Sequence, residues 1–479
     1  MTSGTNFWDA STWSFVGTLA ILFVTMLFAN ILRHQFAFIR KLMIPSSVLG
    51  GFMILLIAFL YKQISGNALL QSSVLEMLTY HGLGLGFAAM SLRELDQSQK
   101  DSGGRMKGDA FDTSLNVVGS YLVQGVFGLT VTMLLSKALG SFFASGLILP
   151  MGYGQGPGQA YNWGHTYELN YGFTDGTSFG LTVAAMGFVA SSVGGIIYLN
   201  SLRRKGIIKT EAANYEEEDL SVQVITGEGE IGLSESMDKF TVQLALVFGS
   251  YGLAYLFMRG VDAVIETGVL GNLGYNTLRP LIWGFNFLFS TVFALLVKNI
   301  FRGLQKKGVI KKKYTNTFMQ NRIAGFMFDI MVVASIAAIN LNAFTHAQFI
   351  VPLLIICTGG AVLTYLYCNA FCKKIFPDYR HEAFLSLYGM LTGTASTGVI
   401  LLREIDPQFK TPAANNMVYQ QTWAILFGAP MLLMMGFAPQ STTNALITMA
   451  VMVVMFFILN GIALLRARKR NENSKGAKS

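Results

Sequence analysis

Leu149-Pro150-Met151-Gly152-Tyr153-Gly154-Gln155-Gly156-Pro157-Gly158-Gln159-Ala160-Tyr161-Asn162-Trp163 ends an apolar segment, 142–151, of only ten residues. A helix needs about 20 mostly apolar residues to cross the bilayer, whose hydrocarbon core is about 30 Å thick. Ten can go halfway in and must come back. A second short segment, 383–391, runs into Thr392-Gly393-Thr394-Ala395-Ser396-Thr397-Gly398. The two stretches align with Gln155 opposite Thr392 and Gly156 opposite Gly393. Both read as re-entrant hairpins, at about 142–165 and 383–402.

Eleven other segments are long enough to span: near 13–32, 45–61, 74–92, 115–136, 178–199, 240–257, 280–297, 323–341, 349–371, 418–437 and 445–465. Composition agrees. Of 479 residues 52% are hydrophobic and 13% charged, with 50 Gly, 37 Phe and 23 Met. That is about half the roughly 25% charge of a soluble domain, which excludes a typical soluble enzyme, a disordered chain and a disulfide-stapled module. Cys357, Cys368 and Cys372 lie in or beside one apolar segment and read as small helix-packing residues. The opening MTSGTNFWDASTW has no Lys or Arg, so the first apolar run is expected to be a retained span.

Charge sets the orientation. With the N-terminus outside, 31 of the 35 Lys and Arg residues fall in inner loops and the inner C-terminus, leaving only Lys62, Lys137, Arg259 and Arg279 outside. This asymmetry is the positive-inside pattern. It assigns the net charge of +9 to the inner surface of a cell (inner) membrane rather than to nucleic-acid binding. The one long polar segment, 203–239, holds the acidic run Glu216, Glu217, Glu218 and Asp219 and reads as a cytoplasmic linker.

The order of segments repeats. Residues 1–202 and 240–440 each give four spans, a broken hairpin and one more span, and five spans per half invert the second half. The expected fold is an all-α polytopic membrane protein: about 11 transmembrane helices in two inverted-topology five-helix repeats, each with a re-entrant hairpin, plus one extra C-terminal helix in 441–479. Short Gly-interrupted segments in matching places of opposed halves mark secondary transporters, with the binding site where they meet.

The tips hold no charged residue. Half-helix N-termini carry partial positive charge and suit a carboxylate. Freed carbonyls and Thr, Ser and Gln oxygens suit Na⁺, whereas proton coupling more often uses a titratable group. Candidate substrate-binding residues are Gly154, Gln155, Gly156, Gly158, Gln159, Thr392, Gly393, Thr394, Ser396, Thr397 and Arg403. Candidate Na⁺ ligands are Gln155, Thr392, Thr394 and Asp329. Asp329 is either a cation ligand or a polar partner near the interface. Arg403 is either a bidentate clamp for a carboxylate or a positive-inside anchor. Tyr161, Trp163 and His165 form either a gate or an aromatic belt, and Glu76 and His81 read as interfacial. The glycines have a plainer reading too, as sites of tight helix packing.

At these residues the chain resembles the bacterial sodium/glutamate symporter family. The likeness is strongest in Leu387-Tyr388-Gly389-Met390-Leu391-Thr392-Gly393-Thr394-Ala395-Ser396-Thr397-Gly398, in Leu401-Leu402-Arg403-Glu404-Ile405-Asp406-Pro407, and around Phe328-Asp329-Ile330. Where the family's first hairpin usually reads Gly-Gly-His-Gly-Thr, this chain has Gly152-Tyr153-Gly154-Gln155-Gly156. The resemblance implies Na⁺-driven uptake of L-glutamate, a homodimer and an elevator-like motion, with no cofactor beyond the coupling ion. The alternatives are a Na⁺- or H⁺-coupled carrier of a 2-hydroxycarboxylate or dicarboxylate, a cation/proton antiporter, and a channel. The chain contains no arrangement that suggests an enzyme.

Overall fold

A computed structural model describes residues 8–94, 104–208, 238–407 and 410–476. The acidic run of the linker and Lys100 and Lys209 lie outside the described residues. The described chain is helical. In order, the helices are α1 Ala10–Gln35, α2 Ala37–Lys41, α3 Ser46–Ser65, α4 Ser72–Leu92, α5 Gly104–Leu139, α6 Ile148–Pro150, α7 Pro157–Tyr171 and α8 Gly176–Arg204. There follow α9 Lys239–Glu266, α10 Gly271–Leu273, α11 Arg279–Gly284, α12 Asn286–Lys306, α13 Thr317–Ala337 and α14 Ala347–Ile375. The last are α15 Arg380–Thr392, α16 Ala395–Arg403, α17 Ala413–Tyr419, α18 Gln421–Phe437 and α19 Thr442–Gly476.

Among the described residues, nine helices are long and apolar enough to cross a membrane: α1, α3, α5, α8, α9, α12, α14, α18 and α19. This is a multi-pass membrane protein. The segments expected at 74–92 and 323–341 do form the 21-residue helices α4 and α13, but they fall short of the others in apolar character. Glu76 and His81 dilute α4, and Gln320, Asn321, Arg322 and Asp329 dilute α13. The span expected at 280–297 is interrupted. Phe285 leaves the helical region (φ −105°, ψ 33°), and an uninterrupted helix starts at Asn286 and runs on to Lys306.

The chain divides into two compact units. The first comprises Met1–Leu75, Ser102–Glu211 and Ser335–Ser479; the second comprises Glu76–Asp101 and Ala212–Ala334. In the second unit, Leu85, Ala88 and Ala89 of α4 pack with Val247 of α9, Ala294 of α12 and Ala324 of α13. Polar groups tie these helices where side chains are short. Ser290 Oγ donates to Gly84 O at 2.6 Å, and Lys298 Nζ donates to the freed carbonyls of Ser91 and Arg93 at 2.6 and 2.9 Å. Gln243 bridges Tyr314 O, the Asn316 amide and the Gln320 side chain. The carboxylate of Asp238 caps α9 through the Phe240 and Thr241 amides.

In the first unit α5 is the common neighbour, packing against α14, α17, α18 and α19. Small residues set the spacing. Gly128 of α5 lies against the backbone of Gly146, Gly164 of α7 against Gly176 of α8, and Gly180 against Ala160. Without a hydrophobic driving force between helices in lipid, such backbone approach is a main source of packing energy. The three cysteines are all buried and unbridged on α14. Beyond α16, Asp406 accepts hydrogen bonds from the Lys410 amide, the Thr411 amide and the Thr411 hydroxyl at 2.9, 2.9 and 2.6 Å. Partial burial pushes its carboxyl up, but the hydrogen bonds from Thr411 and Lys410 outweigh that and hold it below the usual carboxylate range.

Two predictions follow from this packing. Gly146→Val drives a side chain into the Gly128 peptide and lowers the thermal midpoint of the detergent-solubilised protein by the equivalent of about 1–3 kcal/mol. Gly252→Ala, which meets nothing within 4 Å, leaves it unchanged or slightly raised. The Asp406 turn is held fully above the unfolded carboxyl value of about 3.9 and loosens as pH falls below it toward the lower folded value. Protection of the Thr411 amide, its exchange measured against the intrinsic rate at each pH, therefore falls from pH 7 to pH 3, and Asp406→Asn flattens that dependence.

Candidate functional site

Both short segments are broken helices, and both lie in the first unit. The first runs through a 3₁₀ turn, Ser145–Leu147, then α6 and a π turn, Met151–Gln155. It breaks at Gly156, where φ is +86° and ψ −175°. That conformation is open to glycine and strained for any side chain. Pro157 then starts α7, its fixed φ suited to a first turn and its missing N–H costing nothing there. The second segment is α15, a break at Gly393 and Thr394, and α16. Its two arms close because Gly389 and Gly398 face each other, a Cβ on Gly389 standing 2.8 Å from Gly398 Cα. The first broken segment ends at Tyr171 and the second at Arg403.

The two breaks meet. A Cβ on Gly156 would stand 3.5 Å from Thr394 Cγ2, and Gly187 of α8 packs against Thr392 O and the Tyr153 ring. Three helices hold this crossing. From α5, Tyr121 Oη donates to Gly154 O at 3.1 Å and Gln124 Nε2 donates to Leu391 O at 3.0 Å, each taking up a carbonyl of one broken segment. Gln124 Nε2 also reaches Thr364 Oγ1 of α14 at 2.8 Å, and Tyr153 Oη donates to Cys357 O of α14 at 2.8 Å. From α8, Ser191 Oγ lies 3.2 Å from the Cβ position of Gly393. Ser191 Oγ and Gln124 Oε1 are buried with no hydrogen-bond partner among the described residues, at a place where an orphaned oxygen costs about 1–3 kcal/mol.

The anticipated residues divide accordingly. Gly154, Gln155, Gly156, Thr392, Gly393 and Thr394 are brought together. Gly158 and Gln159 form the first turn of α7, and Ser396 and Thr397 that of α16, so both helix N-termini open at the breaks. Ser396 is exposed and Gln155 and Thr394 are partly so, whereas Gln159, Thr392 and Thr397 are buried. The Thr392 hydroxyl donates to Tyr388 O at 2.7 Å, leaving its lone pairs open. Thr394 makes no capping bond to α16 and lies 3.4 Å from the Thr397 hydroxyl. One residue of the second segment stands apart. Arg403 is exposed at the far end of α16, about 12 Å along the axis from Ala395 at 1.5 Å per residue; beside it Glu404 pairs with Arg203 at 3.4 Å. Asp329 lies on α13 in the second unit, with an exposed side chain.

Comparison with known proteins gives two partial likenesses. The sodium/glutamate symporters of Escherichia coli (strain K12) and of Shigella flexneri are each 28% identical to this chain over 187 residues. The match takes in 38% of this chain and spans 42% of the length of each relative. No protein-family profile matches the chain, and no solved structure matches it significantly.

Gln124, Thr364, Ser191 and Gly187 were not anticipated. The signal available was a polar row at helical spacing on α5, Asn116, Ser120 and Gln124, facing Thr364 and Cys368 on α14. If α5 holds the breaks in register, Gln124→Leu and Tyr121→Phe each lower the thermal midpoint by the equivalent of about 1–3 kcal/mol. Thr358→Val, on the exposed face of α14, does not. A midpoint unmoved in both variants would show that the breaks support themselves.

Proposed function

We propose that this protein is a secondary active transporter, carrying glutamate or a similar acidic amino acid together with Na⁺ by alternating access. The observation that carries the reading is the crossing of two broken helices at tips that bear no formal charge. Two helix N-termini offer amides to a carboxylate, while Gln155, Thr392, Thr394 and Ser191 offer neutral oxygens to a hard cation. Each ligand then raises the affinity for the other by the same factor, which is the thermodynamic content of coupling. The partial likeness to named sodium/glutamate symporters supports the same reading.

The proposal includes the topology behind such a cycle. The nine long helices with α4 and α13 make eleven spans, the broken segments are re-entrant, and α9–α18 repeat the order of α1–α8 inverted. The N-terminus is outside and the C-terminus cytoplasmic, in the inner membrane. The working form is a homodimer whose hairpin-bearing part moves as an elevator.

Labelled L-glutamate should enter proteoliposomes saturably with an inward Na⁺ gradient and fail to enter when K⁺ replaces Na⁺. Gln155→Ala and Thr394→Val should each cut uptake about tenfold or more, the worth of one hydrogen bond to a charged ligand. Na⁺-driven uptake of labelled malate or citrate that excess glutamate does not block, with no uptake of glutamate, would replace the amino acid with a 2-hydroxycarboxylate or dicarboxylate. Equal uptake in K⁺ would end the sodium reading.

A further inference from the structure

We infer that the groove between α14 and α19 is a binding site for one anionic phospholipid, with acyl chain in the groove and phosphate on the basic turns at its end. The groove has a volume of ≈ 110 Å³ and is lined by Tyr367, Phe371, Lys374 and Ile375 of α14 and Asn460 and Leu464 of α19. Its walls are largely aromatic and aliphatic. The Tyr367 hydroxyl and Asn460 Oδ1 satisfy each other at 3.0 Å, which leaves the surface between them apolar. Next to lining residues in sequence, or one helical turn from them, Leu366 on α14 and Phe457 and Leu465 on α19 are exposed. This is surface that acyl chains cover and that a soluble anion does not seek.

The charge sits at one end. Lys373 and Lys374 are in the last turn of α14, and Arg466, Arg468, Lys469 and Arg470 follow Leu464 on α19. The nearby acids are partly used. Asp112 takes Arg466 at 2.6 Å, and Asp109 takes Arg470 at 2.9 Å. Even with Asp378 and Glu472, which follow the two turns in sequence, the six cations outnumber the acids by two. Lys373, Lys374, Arg468 and Lys469 are all exposed, and Lys374 forms no ion pair among the described residues. An apolar groove closed by surplus lysines fits a phosphodiester on a lipid.

The site reaches into the rest of the first unit. Arg470 donates to the carbonyl of groove residue Ile375. Asp109 also accepts from Tyr379 Oη at 2.9 Å, and that hydroxyl accepts from Asn416 Nδ2 at 2.9 Å. Tyr379 directly precedes α15. A lipid that holds α19 on α14 therefore braces the entry to the second broken helix.

The test uses the full chain, stripped of lipid in detergent and then offered phosphatidylglycerol, phosphatidylcholine or soluble glycerol phosphate. Native mass spectrometry reads retention, and thermal melting reads stabilisation. Phosphatidylglycerol is expected to be retained and to raise the midpoint. Lys373→Gln and Lys374→Gln should each weaken retention roughly fivefold, the worth of one basic residue at an anionic surface. Ala370→Trp fills the exposed groove without altering charge and should weaken it as well. Equal retention of phosphatidylcholine, or phosphatidylglycerol retained unchanged by all three variants, would overturn the site. Stabilisation by glycerol phosphate alone would also overturn it, in favour of a soluble anion.

Discussion

A buried peptide carbonyl that leaves its helix must find another donor, and two residues one turn apart on α5 meet that demand here. Gln124 answers Leu391, and Tyr121 answers Gly154. In water these bonds would add little, because solvent would compete for both partners. In a buried setting the alternative is an unsatisfied dipole, so the same two bonds fix where each broken helix ends. The positions of Gly156, Thr392, Gly393 and Thr394 follow from that anchoring. So does the opening of both helix N-termini at a single place.

The glycines divide into two kinds. Gly128, Gly146, Gly164 and Gly180 lie where backbones touch and a methyl group would not fit. They serve close packing of backbone on backbone. Gly156 is different: its neighbour is 3.5 Å from where a Cβ would stand, and its backbone rather than its size is what the fold needs. A sequence shows both kinds as the same letter.

What could be read in advance was length. Segments of nine and ten apolar residues are too short to cross hydrocarbon, and the structure breaks both. The far arm of the first segment runs to Tyr171, and Trp163 and Tyr167 along it bury completely. Ser191 and Thr364 escaped notice because a hydroxyl in an apolar helix carries no local signature, and Gln124 because the polar row on α5 does not by itself name its partner. Its meaning comes from the helix it faces. Arg403 illustrates the converse. Its place directly after the hairpin motif suggests a role at the tip, but nine residues of helix carry it to the other end of α16.

The neutrality of the crossing has an electrical consequence. Empty, the six residues gathered there contribute no net charge. With one monovalent cation and one monovalent anion bound, the sum is zero again. Under the proposed function, either ion alone would leave an unpaired charge at the crossing, and moving that state through hydrocarbon would be costly. Only the balanced states travel cheaply. In the proposed carrier no latch is needed to prevent one ion from slipping across without the other, because the self-energy of an unpaired charge performs that task.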